Sequence, residues 1–347
     1  MRAIPEPPGM DPFGMTAAEA RAWATSVGLP PFRGEQLVQG AYRAGVLRFA
    51  DVKGLPRELA ERLDAAGPLV PGVEVKRQES RDGTVKSLLR LHDGKLVECV
   101  SIPTSERHTV CVSSQVGCAV GCSFCASGLN GVERDLSPGE IVWQVVHHHR
   151  VRPVTNIVFM GSGEPMFNYD NVVHAIRVLG EPLGLGLGRR RLTVSTSGVP
   201  ARIRQLAGDE PQVTLALSLH AGDDETRGRL VPLNQRWPLA DVLGAMADYT
   251  ERVGRRPTLE YVLLADANMT PEHAASLAAC ARPLGAHINL IPFNPVFETG
   301  HRRPTPDEVA VFADQLARSG GHATVRGARG TDIDAACGQL KRRAAET

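Results

Sequence analysis

Cys118, Cys122 and Cys125 form a Cys-x3-Cys-x2-Cys triplet. Three thiolates on one short loop can hold three irons of a four-iron, four-sulfur cluster and leave the fourth iron without a protein ligand. An open iron can bind and reduce a small molecule, whereas a closed four-cysteine cluster mainly stores or passes electrons. Zinc is the alternative. Structural zinc takes four ligands, often as two Cys-x2-Cys pairs, and the chain has no second pair of that kind.

Other polar residues recur where apolar runs end. One run leads into Gly161-Ser-Gly-Glu-Pro165, others into Ser195-Thr-Ser-Gly198, Ser218-Leu-His220 and Asn294-Pro295, and the last leads on to Cys337. Gly163 lets backbone approach a ligand, and Glu164 can accept hydrogen bonds from an ammonium group. Ser195, Ser218 and Asn294 suit hydroxyl and carboxylate groups of a ligand in a mainly apolar pocket. His147-His148-His149 resembles a metal tract, but consecutive helix positions face different ways, so the run reads as surface. Cys111 and Cys337 read by default as small buried hydrophobes, as do Cys99 and Cys280.

These residues need a scaffold. The chain has 347 residues, 42% hydrophobic, enough for one large α/β core and a small accessory domain. Residues 15–66 read as helical, with Thr16 as N-cap, Glu19 at N3 and a break at Pro30-Pro31. Residues 73–102 alternate as strands, with Asp93-Gly94 as a hairpin turn. The division falls near Ile102-Pro103: 1–102 is an accessory domain, and 103–347 carries the chemistry. Strands are expected at Thr109–Val116, Thr155–Gly161, Arg191–Ser197, Gln212–His220, Thr258–Leu264, His287–Phe293 and Ala323–Arg326. Helices such as Pro138–His149, Asn171–Leu179, Leu239–Arg252 and Thr305–Arg318 alternate with them. That order predicts an α/β fold, either a complete or partial (β/α) barrel or a doubly wound sheet. In a barrel, the C-terminal strand ends would gather the polar residues into one rim.

The net charge is only +1, lower than usual for a dedicated nucleic-acid binder. Local basic clusters at Arg189–Arg191, Arg255-Arg256, Arg302-Arg303 and Lys341–Arg343 permit an RNA footprint. Aromatic residues are 5% of the chain, so base-stacking platforms should not dominate such a contact. Seven clustered cysteines argue against a disulfide framework and for a reducing, cytoplasmic setting. No signal peptide and no apolar run of about 18 residues is found, so no membrane span is expected.

Read in order, Cys111-Val-Ser-Ser-Gln-Val-Gly-Cys118, the triplet, Met160–Pro165, Ser195–Gly198, Ser218–Ala221, Ile291–Pro295 and Asp332–Leu340 resemble the RlmN/Cfr family over about residues 15–343. The family consists of radical S-adenosylmethionine (SAM) methyltransferases of 23S rRNA. Pro165 after Glu164, and Arg329-Gly330 before Asp332, resemble the RlmN branch. That branch methylates adenosine C2 in rRNA and in the anticodon loop of some tRNAs; the Cfr branch methylates C8 and confers antibiotic resistance. Ser162 departs from the family's usual Met.

The resemblance implies a partial (β/α) barrel of the radical SAM type with a small N-terminal α+β domain that grips RNA through Arg33 and the basic clusters. It implies a [4Fe-4S] cluster on Cys118, Cys122 and Cys125, and SAM bound by Gly163, Glu164, Ser195, Ser218, Leu219, His220 and Asn294. Two SAM molecules are used per turnover. Cys337 takes a methyl group from the first. A radical made from the second activates that methyl to add to the adenine ring. Glu98 removes the C2 proton, and Cys111 forms a disulfide with Cys337 to release the product. Cys111 is therefore expected to be more exposed than a core cysteine. The expected partners are 23S rRNA, tRNA and a cellular electron donor, with the enzyme acting as a monomer.

Overall fold

The computed structural model describes residues 10–43 and 45–340; the basic run Lys341–Arg343 lies outside them. Thr16 and Glu19 close a capping box at the start of helix α1 (Ala17–Ser26). Helices α2 (Phe32–Ala41) and α3 (Arg57–Ala66) follow. The next stretch is a three-stranded antiparallel meander rather than one hairpin: β1 (Gly72–Glu79), β2 (Val85–Leu91) and β3 (Leu96–Pro103). The Asp93-Gly94 turn forms as expected. The additional turn, at Asp82-Gly83, uses the same chemistry, with the Thr84 N–H donating to the Asp82 carboxylate at 2.9 Å.

From β4 (His108–Cys111) onward the chain alternates strand and helix. The strands are β5 (Gln115–Gly117), β6 (Val132–Asp135), β7 (Asn156–Phe159), β8 (Leu192–Thr196), β9 (Thr214–Ser218), β10 (Thr258–Leu263), β11 (His287–Pro292) and β12 (Ala323–Val325). The helices are α4 (Pro138–His149), α5 (Tyr169–Leu179), α6 (Pro200–Asp209), α7 (Asp224–Leu230), α8 (Leu239–Val253), α9 (Pro271–Ala281) and α10 (Pro306–Arg318). One ten-stranded sheet runs β1-β2-β3-β4-β7-β8-β9-β10-β11-β12. It is antiparallel to β4 and parallel from β4 to β12. The sheet is continuous across 102/103, because Ile102 lies opposite Thr109 and Pro103 opposite His108.

The expected strand Thr109–Val116 is split, and the cause is a side chain. Gln144, fully buried on α4, accepts from the Ser113 N–H at 2.8 Å and donates to the Ser113 carbonyl at 3.0 Å. It satisfies the backbone as a neighbouring strand would. The chain can therefore leave the large sheet after Cys111, and β5 pairs with β6 in a separate small sheet. That departure delivers Cys118 to its loop.

The histidine run is not a surface tract. His148 is buried with Nε2 3.4 Å from Cys99 Sγ, and burial pulls its pKa down to about 3. His147 and His149 are half-buried. Cys99 and Cys280 are buried, as expected.

Replacing Gln144 with Met keeps the volume but strands two buried backbone groups. Unfolding in urea should show a loss of about 2–4 kcal/mol. A change below about 0.5 kcal/mol, the level of ordinary surface substitutions, would show that Gln144 does not hold the departure point.

Candidate functional site

The loop Cys118–Cys125 rests on a small apolar cluster in which Val120 and Phe124 pack with Val231, Val262, Leu264 and Phe293. Its three thiols are half-buried and line a chamber with an open volume of about 930 Å³. Gly163, Glu164, Ser195, Ser218, His220 and Asn294 line the same chamber. The ends of four parallel strands thus gather these residues around the cysteines, as the alternation of strand and helix predicts.

Three cysteine thiols on one loop are the donor type that an iron–sulfur cluster takes. Cys337 also lines this chamber, so four thiols face it. Yet among the described residues no three His, Cys, Asp or Glu are placed to hold a single metal ion. A zinc tetrahedron with Zn–S bonds of about 2.3 Å needs sulfurs about 3.8 Å apart. Burial pushes the Cys118 thiol up to about 12, and raises Cys122 and Cys125 as well. Neighbouring thiolates in such a place need a cationic body to stay ionised.

Glu164 is held rigidly. Its Oε1 accepts from Thr196 Oγ1 at 2.7 Å and from the Met166 N–H at 3.0 Å, and its Oε2 accepts from the Ser197 N–H at 2.7 Å. Burial raises its pKa, against the pull of these donors. Gly163 has φ +106°, and a Cβ there would meet Gln115 at 2.7 Å. Only glycine allows the loop this close.

Ser195 and Ser218 place their hydroxyls 3.2 Å apart. His220 takes a left-handed backbone with φ 60° and packs edge-on against Phe124. Its Nδ1 accepts from the Val262 N–H at 3.1 Å, and burial lowers its pKa to about 3. The neutral ring therefore carries its proton on Nε2, as a donor. Leu219 differs from expectation: its side chain is packed in the main core and does not line the chamber.

Cys337 is exposed and occupies a wall shared with a second chamber. That chamber is lined by Val100, Ile102, Val158, Met160, Arg329 and Cys111, and its open volume is about 770 Å³. The segment bearing Cys337 docks on the cysteine loop. The Ala126 N–H donates to the Gly338 carbonyl at 2.8 Å, Ser127 Oγ donates to the Leu340 carbonyl at 3.2 Å, and Asn294 Nδ2 donates to the Cys337 carbonyl at 3.3 Å. Ser162, the residue that departs from the family's usual Met, donates to Ser127 Oγ at 3.2 Å and so joins the same network.

Cys111 is buried, not exposed, and desolvation raises its thiol to about 12. The β3–β4 register puts it opposite Val100, two residues from Glu98 on the same face. Such diagonal neighbours lie about 7–8 Å apart. All seven cysteines are free, so no Cys111–Cys337 disulfide is formed here. Glu98 does not face the two chambers. It lines an adjoining polar cavity with Lys76, Gln78, Lys86, Asp334 and Gln339, and pairs with Lys86 Nζ at 3.5 Å. Lys86 also donates to the Asp334 carbonyl at 3.0 Å.

Sequence reasoning missed Arg227, Glu260 and Arg326. Arg227 is fully buried and donates to the carbonyls of Leu219 at 3.0 Å and Ser197 at 2.6 Å, and to Asn234 Oδ1 at 2.7 Å. Arg326 lines both chambers, close to Cys337 and Glu260. An arginine as the last residue of the expected strand Ala323–Arg326 was the available signal for Arg326. Nothing in the spacing marks Arg227. Several basic clusters serve the fold instead: Arg189 pairs with Glu210, Arg302 with Glu308, Arg255 donates to the Val213 carbonyl and Arg303 to Asn294.

Comparison with known proteins agrees with this geometry. The Radical SAM superfamily model matches residues 112–278. A "Probable dual-specificity RNA methyltransferase RlmN" of Desulfitobacterium hafniense strain Y51 is 45% identical over 345 residues, covering 96% of each chain. One of Synechococcus elongatus is 44% identical over 337 residues, 95% of this chain and 92% of that protein. The crystal structure of a radical SAM methyltransferase from Sphaerobacter thermophilus superposes with a TM-score of 0.92 at 42% identity, over 96% of this chain and 100% of that one.

Replacing Arg227 with Met leaves the Ser197 carbonyl without a donor and the Leu219 carbonyl with only the Ala221 N–H, at a cost of about 1–3 kcal/mol. Denaturant unfolding should show that loss, and ligand affinity in the first chamber should fall with it. Unchanged stability would mean that other donors hold the strand ends.

Proposed function

The chain belongs to the RlmN family of radical SAM RNA methyltransferases, and from that premise we propose that it methylates C2 of an adenosine in 23S rRNA and of one in the tRNA anticodon loop. One observation carries the reading of the mechanism: Cys337 stands in the wall common to two chambers. Cys118, Cys122 and Cys125 would hold a [4Fe-4S] cluster in the first chamber. There Gly163, Glu164, Ser195, Ser218, His220 and Asn294 would hold SAM. When bound, the reduced cluster supplies the electron that cleaves SAM and yields a carbon-centred radical.

The remaining roles belong to the chain's own residues. Adenine C2 is an electron-poor amidine carbon, so it cannot attack a sulfonium methyl directly. Cys337 therefore carries the methyl group, accepting it as a thiolate and presenting it to the adenine in the second chamber. That chamber's mostly aliphatic wall suits a flat base, and the base must leave its stack to enter. Arg326 lines both chambers beside Cys337 and brings a positive charge to that wall. Glu98 takes the C2 proton, reaching the base once the segment between the cavities shifts and Lys86 releases the Asp334 carbonyl. Cys111 then attacks the Cys337 sulfur as a thiolate: the S–S bond forms as the bond from Cys337 to the methylene carbon breaks, that carbon takes a proton to become the product's methyl group, and a cellular dithiol reductant restores the two thiols. Two SAM molecules serve each turnover, and a cytoplasmic electron donor supplies the reducing equivalent. C2 rather than C8 is favoured by Pro165 and by Arg329, which lines the second chamber.

Mass spectrometry of nucleosides from treated rRNA should place the new methyl on C2; a methyl on C8 would move the chain to the other branch of chemistry. Replacing Cys118, Cys122 or Cys125 with Ala should abolish the iron-dependent visible absorption and SAM cleavage. A single variant that kept both would remove that residue from the ligand set. Cys111→Ala should accumulate a protein–RNA adduct, seen as a slow band on a denaturing gel and lost on RNase treatment, whereas Cys337→Ala should never form it. Wild-type turnover by the Cys111 variant, or methylation by the Cys337 variant, would sink the two-cysteine scheme. Glu98→Gln should still methylate Cys337 but form product at least about 100-fold more slowly.

A further inference from the structure

Glu260 lies on β10 in the wall of the first chamber and has no part in the scheme above. It is only 4% exposed. Its Oε1 accepts from Asn289 Nδ2 at 3.0 Å. Its Oε2 is buried and has no hydrogen-bond partner among the described residues. A buried carboxylate oxygen without a donor carries a desolvation cost that native folds rarely leave uncompensated. In a ligand-binding chamber, the missing donor is naturally supplied by the ligand.

The register indicates which donor. Glu260 lies opposite Ser218 on β9 and Asn289 on β11. The Ser218 hydroxyl in turn meets that of Ser195 on β8 at 3.2 Å. Four neighbouring strands therefore present two hydroxyls, a carboxylate and a carboxamide side by side. Burial raises the Glu260 pKa, against the pull of the Asn289 amide and the nearby Arg326 charge, and Arg326 donates nothing to Oε2. With a positive charge already beside it, the buried Oε2 lacks a donor rather than a cation. It requires a neutral O–H or N–H, and the adjacent hydroxyl pair provides for a second such group. A vicinal diol on a sugar ring meets both needs.

We infer that Glu260 is a ligand-binding residue whose Oε2 accepts a hydrogen bond from a ribose hydroxyl of the nucleoside held in the first chamber. This rests on the reading of that chamber as the SAM site, and it adds the group that recognises the sugar. The other ribose within reach of the enzyme is that of the target nucleotide, so the test separates the two sources.

Anaerobically reconstituted enzyme is titrated calorimetrically with S-adenosylhomocysteine and with its 2′,3′-dideoxy analogue. The wild type should prefer the diol by about 10- to 100-fold, the range of one hydrogen bond to a charged acceptor. Glu260→Gln keeps an acceptor and a partner for Asn289 but lacks the charge. Its preference should fall about tenfold, with dideoxy affinity unchanged. Equal binding of the two ligands by the wild type overturns the inference, and that comparison stands even where the variant does not fold. An undiminished preference in Glu260→Gln, or an equal loss for both ligands, overturns it too. An RNA hairpin carrying 2′-deoxyadenosine at the target position should bind like the ribose form. A Glu260-dependent loss there would move the contact to the substrate nucleotide and refute the assignment. Failure of the wild type to bind S-adenosylhomocysteine at all would instead remove the SAM reading of the chamber.

Discussion

A fully buried guanidinium underlies the site. Among the described residues no carboxylate bonds to Arg227; it is held by the carbonyls of Leu219 and Ser197 and by the Asn234 side chain. Burial lowers its pKa only to about 10, so it stays charged at neutral pH. Each of those carbonyls lies at the end of a parallel strand, where the ladder has run out and the backbone must find other donors. Arg227 supplies them from one point. It thereby fixes the distance between the Ser195–Gly198 turn and the Ser218–His220 turn. Ser197 in turn donates to Glu164, so the same cation braces the Gly-Glu-Pro loop.

The second constraint is the docking of the C-terminal segment. The Ala126 N–H bond to Gly338 and the Ser127 hydroxyl bond to Leu340, just past the cysteine loop, seat Cys337 between two chambers. From the opposite side, the β1–β2 turn holds the approach to Cys337. Ser80 Oγ donates to the Asp332 carboxylate at 2.6 Å, and the Gly330 N–H donates to Asp82 at 3.1 Å. The N-terminal meander is therefore part of the reaction site's wall, which explains why the sheet is continuous with the barrel strands. The β3–β4 register puts Glu98 and Cys111 on one face, yet Cys111 lines the second chamber and Glu98 the adjoining polar cavity.

Charge is distributed in keeping with this design. The basic clusters that suggested an RNA footprint are largely engaged with neighbouring carboxylates and carbonyls. Arg33 follows the same pattern, donating to the Gly54 carbonyl at 2.9 Å. Among the described residues, Lys86 and Arg227 are instead buried, and Arg326 lines both chambers. In low dielectric a single charge acts over longer distances than it would at the surface.

Much of this was legible in the chain. All seven parallel strands, helices α4, α5, α8 and α10, the cysteine loop and the rim residues Glu164, Ser195, Ser218, His220 and Asn294 follow from local signals. Apolar runs, turn residues and ligand spacing are written in consecutive positions, and a parallel sheet brings strand ends together whatever the loops do. What escaped depends on contacts between distant positions. The split of Thr109–Val116 required Gln144, which substitutes for a strand from 31 residues away. The burial of Cys111, the separation of Glu98 from the chambers, and the open oxygen of Glu260 each depend on register and on how the last segment folds back. Local pattern determines which elements form and where their polar ends lie. Only tertiary packing decides which side chains are desolvated, which donors are already taken, and which acceptors remain for a ligand.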